Sequence, residues 1–215
     1  MLLREPSSRV GGGMSDQASA GLGQQEKLYA VLARLCQRLG VLSRTQAVKL
    51  PYLVDVIATK YLGRSVTSAK YEAWRYGVVS PDVWSMTRNA GFGVFDVKFE
   101  PYSEAGVAVS LKDDRVSALV GLLAEDEIAI VDAVADRFGV LRYDDLGALT
   151  KRMNPSIGGW GSNTEVGTGQ AAFDHLDSSW QRLLQRLDSL DLSDRSLWVK
   201  VSGDAREFAR ATLAT

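Results

Sequence analysis

The chain has 215 residues, with 25 basic and 26 acidic side chains and a formal net charge of −1. Such a balance produces no long-range attraction toward DNA or an anionic membrane. Hydrophobic residues at 46% and charged residues at 24% are ordinary for globular proteins, and they exclude a collagen-like or wholly disordered chain. The length allows one large domain or a smaller domain with an appendage.

Cysteine and histidine are almost absent from the sequence. Cys36 is the single cysteine, so an intramolecular disulfide is excluded and a cytoplasmic location is expected. Since His175 is the single histidine, the chain lacks the ligands of a structural zinc site and the partners of a Ser/His/Asp or Cys/His catalytic set. We therefore predict no catalytic residue, no metal site and no cofactor, with Cys36 buried in a helix and His175 on the surface.

The beginning of the chain is predicted to lie outside the fold. Residues 1–23 contain charged residues and a glycine run but no continuous apolar segment, so we expect a flexible leader and no secretory signal, with Met14 as an alternative initiator. No apolar run approaches the 18 residues of a membrane span. Apolar residues at helical spacing then predict a first helix over 24–39, ended by Gly40.

The next segment carries clear start signals for two helices. Ser43 and Gln46 have the spacing of a capping box and predict the start of a second helix, which Pro51 is expected to kink or shift. Residues 64–79 show no clean period and are predicted to form a loop with at most one short helix. Ser80, followed by proline and aspartate, predicts the N-cap of another short helix.

A hairpin and three further helices are predicted in the middle of the chain. Apolar and polar residues alternate over 95–99 and again over 107–111, which is typical of two paired, half-buried strands. Helical spacing and end signals predict helices near 114–122, 124–138 and 144–152. The predicted fold class is mainly α (α+β), a compact helical domain with one small β-hairpin.

The last part of the chain is predicted to be an appended helical arm. Glycines and polar residues over 158–169 indicate a mobile connection, with 161–169 as the linker itself. Residues 170–215 begin with an amphipathic helix whose apolar stripe must pack against something. We expect this C-terminal helical extension to dock on its own body; the alternatives are that it pairs with a second copy of itself or with the partner.

Aromatic residues are concentrated in one part of the sequence: Tyr52, Tyr61, Tyr71, Trp74, Tyr76 and Trp84. Large aromatic side chains of this kind either fill a core or anchor a protein interface, and the sequence leaves both readings open. Residues 1–100 hold 13 basic and 8 acidic side chains, so this half could meet an acidic surface. The excess is not clustered, which argues against nucleic acid as a partner.

Three runs then resemble a known family. KLPYLVD at 49–55, YLGRSVT at 61–67 and YEAWRYGVVSPDVW at 71–84 are similar, in order and spacing, to the motifs of the Panacea domain, also called the SocA-like antitoxin domain and often found as phage-associated proteins. The resemblance continues through Phe138-Gly139 to a loop closing near Trp160 and predicts a domain over 24–160.

The resemblance implies an antitoxin of a toxin-antitoxin system. Such a protein neutralises a cognate toxin by binding it directly or by delivering it to a cellular protease as an adaptor. The predicted partner-binding residues are Tyr71, Trp74, Tyr76, Val79 and Trp84. The alternatives are a DNA-binding regulator, a phage-associated protein-interaction module without a toxin, and an unrecognised hydrolase, against which the shortage of His and Cys argues.

Overall fold

The computed structural model describes residues 15–89, 93–100, 106–112 and 116–176. In chain order the elements are α1 Ser15–Leu39, β1 Leu42–Ser43, α2 Arg44–Leu62, β2 Glu72–Trp74, β3 Gly77–Val79, α3 Pro81–Met86, β4 Phe95–Glu100, β5 Gly106–Leu111, α4 Val116–Val120, α5 Glu125–Phe138 and α6 Tyr143–Arg152. Residues 170–176 are also helical. The protein is therefore mainly α with small antiparallel sheets, as the sequence predicts.

The core forms where α5 packs against α1 and α2. α5 buries Ile130, Val131, Val134, Ala135 and Phe138, because its apolar residues recur at helical spacing. Ion pairs line the edge of the α1–α5 contact: Arg34 contacts Asp132 at 2.6 Å, and Arg38 pairs with Asp136. Arg38 follows Arg34 by one turn of α1, and its partner Asp136 follows Asp132 by one turn of α5, so the two helices run in the same direction.

The predicted pairing of 95–99 with 107–111 is confirmed. β4 and β5 are antiparallel, with Phe95 opposite Leu111 and Phe99 opposite Val107. β1 pairs with the other side of β5, so the sheet order is β1-β5-β4. Alternation predicted this pairing correctly because one face of both strands is buried against the helices.

A second hairpin corrects the prediction of a single one. Residues 64–79 were expected to form a loop, but β2 and β3 pair within them, with Trp74 opposite Gly77 across a two-residue turn. All three residues of β3 are buried, so no alternation marks the strand. Strands of three residues with both faces covered leave no period-two signal.

The glycine-rich stretch lies along this second hairpin. The N–H of Val166 donates to the carbonyl of Tyr71, and the N–H of Ala73 donates to the carbonyl of Thr164, both at 2.8 Å. Glu165 forms a β-bridge with Glu72. Part of the predicted linker thus continues the small sheet, although the domain limits at 160 and 170 stay predictions.

Helical residues lie on both sides of the predicted domain, 24–160. α1 begins at Ser15, so the predicted leader is helical from that residue onward, whereas 1–14 lie outside the described residues. At the other end Leu176 is buried, and the ring of Phe173 lies 5.8 Å from that of Tyr61. The first turns of the predicted arm therefore lie on the body. The rest of the arm, 177–215, lies outside the described residues.

The predicted capping box at the start of α2 is confirmed. The Gln46 N–H donates to Ser43 Oγ at 3.2 Å, and the Ser43 N–H donates to Gln46 Oε1 at 2.8 Å. α2 continues through Pro51 to Leu62 and ends at Gly63 in the left-handed conformation. α3 is the short helix predicted after Ser80, and it ends at Met86.

A buried carboxylate organises the loop after α2. Asp55 is 0% exposed. Its side chain accepts hydrogen bonds from the Val66 N–H at 2.8 Å, the Thr67 N–H at 2.9 Å and the Tyr71 hydroxyl at 2.8 Å, and from the Thr67 hydroxyl. All three motif runs of the family resemblance, 49–55, 61–67 and 71–84, therefore meet in one hydrogen-bond network.

A second buried carboxylate predicts acid sensitivity. Burial by itself would raise the pKa of Glu127, but hydrogen bonds from Lys27, Arg64 and the Ala124 N–H outweigh it and lower the pKa. A carboxyl with a lowered folded-state pKa contributes stability above its unfolded pKa of about 4.3, and this contribution is lost as the pH falls through the folded value.

We therefore expect the urea midpoint of the protein to fall between pH 5 and 3, in part through Glu127. The variant Glu127→Gln should be less stable at pH 7 and should show a flatter pH profile over the same range. Parallel profiles for the two proteins would contradict the assignment.

None of the helices in the described part of the chain combines the length and apolar character that crossing a bilayer requires.

Cys36 is buried, as predicted, and burial raises the pKa of its thiol to about 12. The thiolate required for nucleophilic attack is therefore scarce at neutral pH.

Candidate functional site: an aromatic cavity

A cavity of about 810 Å³ opens between α2, α6 and the β2–β3 hairpin. This volume lies within the range of ligand and side-chain pockets. The residues that line it come from five elements and one turn: Arg44, Thr45, Val48 and Lys49 from α2, Trp74 from β2, Arg75 and Tyr76 from the turn, Val79 from β3, Trp84 from α3, and Tyr143, Asp144, Gly147, Ala148 and Lys151 from α6. The α2 and α6 residues recur at helical spacing, so each helix presents one face to the cavity.

Four of the five predicted partner-binding residues line this cavity. Trp74, Tyr76, Val79 and Trp84 lie in its wall. Tyr71 does not, because it is 1% exposed and its hydroxyl donates to Asp55 inside the core. The five residues are close in sequence, but Tyr71 precedes β2 and its hydroxyl is held by Asp55 in the core, so Tyr71 is separated from the others.

Two tryptophans form the aromatic wall. The rings of Trp74 and Trp84 lie 5.3 Å apart in an edge-to-face arrangement, and the guanidinium of Arg44 lies 4.8 Å from the centre of the Trp84 ring. Trp74 Nε1 donates to Glu72 at 2.8 Å, which orients its ring. Tyr76, in the turn, is 72% exposed. A rigid wall beside a protruding tyrosine is typical of an anchor site for a protein partner.

A buried lysine, Lys49, forms part of the cavity wall. Lys49 is 3% exposed, and its ammonium donates to the Val78 carbonyl at 2.9 Å. Burial, together with repulsion from Lys151, lowers the pKa of Lys49 to about 7. An anion that approaches such a buried ammonium stabilises its charged form, because the anion replaces the water that burial has removed.

Two glycines bring the hairpin close to α6. Gly77 has φ +104°, and a Cβ at this position would lie 2.5 Å from Thr150 Oγ1 and 3.0 Å from the Gly147 carbonyl. A Cβ at Gly147 would lie 3.1 Å from the Tyr76 carbonyl. The shape of the cavity therefore depends on the absence of side chains at this contact.

The contribution of α6 and of Lys49 to the site is not part of the sequence prediction. Gly147 and Ala148 follow the acidic start of α6 and are small residues on one helix face, which is a signal for a close approach by another element. Lys49 stands in the first motif run, 49–55, but nothing in the sequence alone shows that it and the hairpin meet.

The side chains of the cavity offer binding groups and few reactive ones. Among the described residues that line it, none is serine, cysteine or histidine. A group of three or more His, Cys, Asp or Glu side chains placed to hold a metal ion is likewise absent from the described part of the chain. The arrangement can supply apolar contact area, cation–π surfaces and positive charge.

The fold and the site together define a mainly α domain with a concave aromatic surface. Residues 48–155 match the family described as antitoxin SocA-like, Panacea domain, and this match covers half of the chain. The chain therefore belongs to the Panacea-domain family, as its motifs predict, and the family indicates an antitoxin-type function with a binding partner. No curated protein and no solved structure matches the chain.

Proposed function

We propose that this protein is the antitoxin of a toxin-antitoxin system and that it binds its cognate toxin through the aromatic cavity. The observation that carries the proposal is the position of Trp74, Tyr76, Val79 and Trp84 around one cavity of about 810 Å³, inside the segment that matches the family. Clustered aromatic anchors in a concave site are the usual centre of a protein interface.

The cavity would form the centre of a larger contact. A stable protein interface buries about 1,600 Å² in total, which exceeds what one cavity of this size can supply. The exposed rings at its rim, Tyr76 and Tyr143, would contribute to the surrounding contact. We propose that the protein acts without catalysis, since the lining residues resemble an interface more than an active site.

The function is tested in cells. The gene next to this one is expressed alone and together with this protein, and growth is measured. We expect toxicity from the neighbour alone and normal growth with both. Absence of toxicity, or toxicity that this protein does not relieve, would contradict the proposal.

The mode of neutralisation is a separate question. Direct binding leaves the half-life of the toxin unchanged or longer, whereas delivery to a cellular protease shortens it. Measuring toxin half-life with and without this protein, in normal and protease-deficient cells, distinguishes the two modes. Sequence-selective DNA binding that falls steeply with salt would instead favour the alternative of a DNA-binding regulator.

The sharpest test of the surface is Tyr76→Ala. Tyr76 is 72% exposed, so its removal should leave thermal stability nearly unchanged. The loss of an anchor should weaken toxin binding by about 2 kcal/mol, or about thirtyfold. Calorimetric titration and thermal unfolding measure the two effects.

Tyr61→Ala is the matched control, because Tyr61 is 67% exposed but does not line the cavity. It should bind the toxin as tightly as the wild type. Equal affinity for all three proteins would place the interface elsewhere on the molecule.

A further inference from the structure

Five basic side chains in the described part of the chain form salt bridges, and none of these five lines the cavity. Lys27, Arg34, Arg38, Arg64 and Lys98 each form a salt bridge with a carboxylate. The four cations of the cavity form none among the described residues: Arg44, Lys49, Arg75 and Lys151. A chain of net charge −1 thus gathers uncompensated positive charge at one concave site.

Two of these cations have hydrogen-bond donors that are not used within the described part of the chain. The Nε of Arg44 is buried without a hydrogen-bond partner, although its Nη2 donates to the Thr87 carbonyl at 3.2 Å. Lys49 has three donors, and the Val78 carbonyl is the acceptor that the described residues supply. A buried donor without an acceptor costs free energy, so both positions favour an incoming anionic acceptor.

The walls between these cations are apolar. Trp74, Val79 and Trp84 line one side, and Val48 and Ala148 add aliphatic surface. A small hydrated anion would leave this surface exposed to water, whereas a segment with both a carboxylate and an apolar side chain would satisfy both features. Asp144 lies in the same cavity and disfavours a doubly charged phosphate more than a single carboxylate.

We propose that the cavity binds an acidic segment of the partner protein, in which an apolar side chain packs against the two tryptophans and a neighbouring Asp or Glu faces Lys49 and Lys151. This inference rests on the proposed function and adds the chemistry of the partner to it. Complementary charge of this kind increases the rate of association and excludes basic or neutral segments.

Binding of such a segment should depend on pH. Burial lowers the pKa of Lys49 to about 7, so in the free protein the Lys49 side chain is fully protonated only below pH 7. A bound anion favours this protonated form. We expect the dissociation constant to be lowest below pH 7 and to rise above it. The charged and titratable groups that share the cavity with Lys49 are Lys151, Asp144 and Tyr143 from α6, Arg75 and Tyr76 from the turn, and Arg44 from α2.

The test uses the full chain and peptides of known sequence. A random 12-residue phage-displayed library is selected on the immobilised protein, and the best peptide is synthesised together with a version in which Asp and Glu become Asn and Gln. We expect selected peptides to combine acidic with aromatic or aliphatic residues. The amide version should bind about thirtyfold more weakly, as measured by fluorescence polarisation.

Two variants locate the site, and one serves as the control. Lys49→Met removes the buried charge at similar volume, and Lys151→Gln removes a half-buried charge without disturbing the core. Each should reduce the difference between the acidic and amide peptides at least fivefold, whereas Lys98→Gln, on β4 and exposed, should leave it unchanged. Selection of no peptide, selection of peptides without acidic residues, or equal binding to all variants would overturn the proposal.

Two further measurements separate the alternatives. Tight binding of inorganic phosphate or ATP that Lys49→Met abolishes would assign the cavity to a small phosphate compound and overturn the peptide proposal. In cells, loss of toxin neutralisation by Tyr76→Ala but not by the two lysine variants would leave the proposed function intact and refute the acidic segment. Full neutralisation by all three would refute the acidic segment and place toxin binding outside the cavity, while the antitoxin function itself would stand.

Discussion

Replacing Asp55 by Asn should lower the free energy of unfolding by about 3 kcal/mol or more. The carboxylate is fully buried and accepts from two backbone N–H groups and from the hydroxyls of Thr67 and Tyr71. An amide at this position turns an NH₂ toward groups that are themselves donors, so at least one buried donor loses its acceptor. Urea denaturation at neutral pH measures the loss.

Asp136→Asn is the matched control for this substitution. Asp136 pairs with Arg38, and both side chains are about 40% exposed, so the same chemical change should cost less than about 1 kcal/mol. A cost of less than 1 kcal/mol for Asp55→Asn would mean that the loop after α2 does not depend on this carboxylate. In that case the hydrogen bond from the Tyr71 hydroxyl to Asp55 would not be what holds Tyr71 in the core.

Replacing Gly77 by Ala should destabilise the protein by about 3 kcal/mol and change the shape of the cavity. The backbone at Gly77 has φ +104°, which L side chains rarely adopt, and a new Cβ would overlap Thr150 Oγ1 at 2.5 Å. Lys49 Nζ, at 3.1 Å from the same Cβ, would also be displaced. We therefore expect lower stability by urea denaturation and weaker toxin binding together.

Gly63→Ala separates backbone strain from overlap. Gly63 has φ +69° and open space where the Cβ would lie, so this variant should lose only about 1 kcal/mol and should keep its affinity for the toxin. If Gly77→Ala cost no more than Gly63→Ala, the hairpin would be able to move away from α6 without penalty. The close contact would then not define the cavity.

The helices were predictable because their signals are local. α5 has acidic residues in its first turn and Gly139 directly after its last turn, and these signals mark where the helix begins and ends. Its apolar stripe specifies the face that it buries. Ser43 and Gln46 form their capping box within four residues of chain. The β4–β5 register follows from alternation, since a shift of one residue would turn Phe95 and Val97 to solvent.

The β2–β3 hairpin was not predictable in the same way. Its strands have three residues each, and Gly77, Val78 and Val79 are all buried, so the pattern that distinguishes a strand from a loop is absent. The stretch 164–166 lies within a glycine-rich segment, yet its backbone pairs with that of residues 71–73. Only the tertiary structure supplies this hydrogen-bonding partner.

For the candidate site, the sequence by itself determined the residue types and the family. It placed the aromatic residues of 71–84 together and excluded a histidine- or cysteine-based site. The tertiary structure decided their roles: Tyr71 lies in the core at 1% exposure and Tyr76 stands in solvent at 72%, although both are tyrosines five residues apart. It also brought Lys49 and the face of α6 to the same cavity. Composition and spacing are local properties of the chain, whereas burial and charge compensation depend on which distant elements pack together.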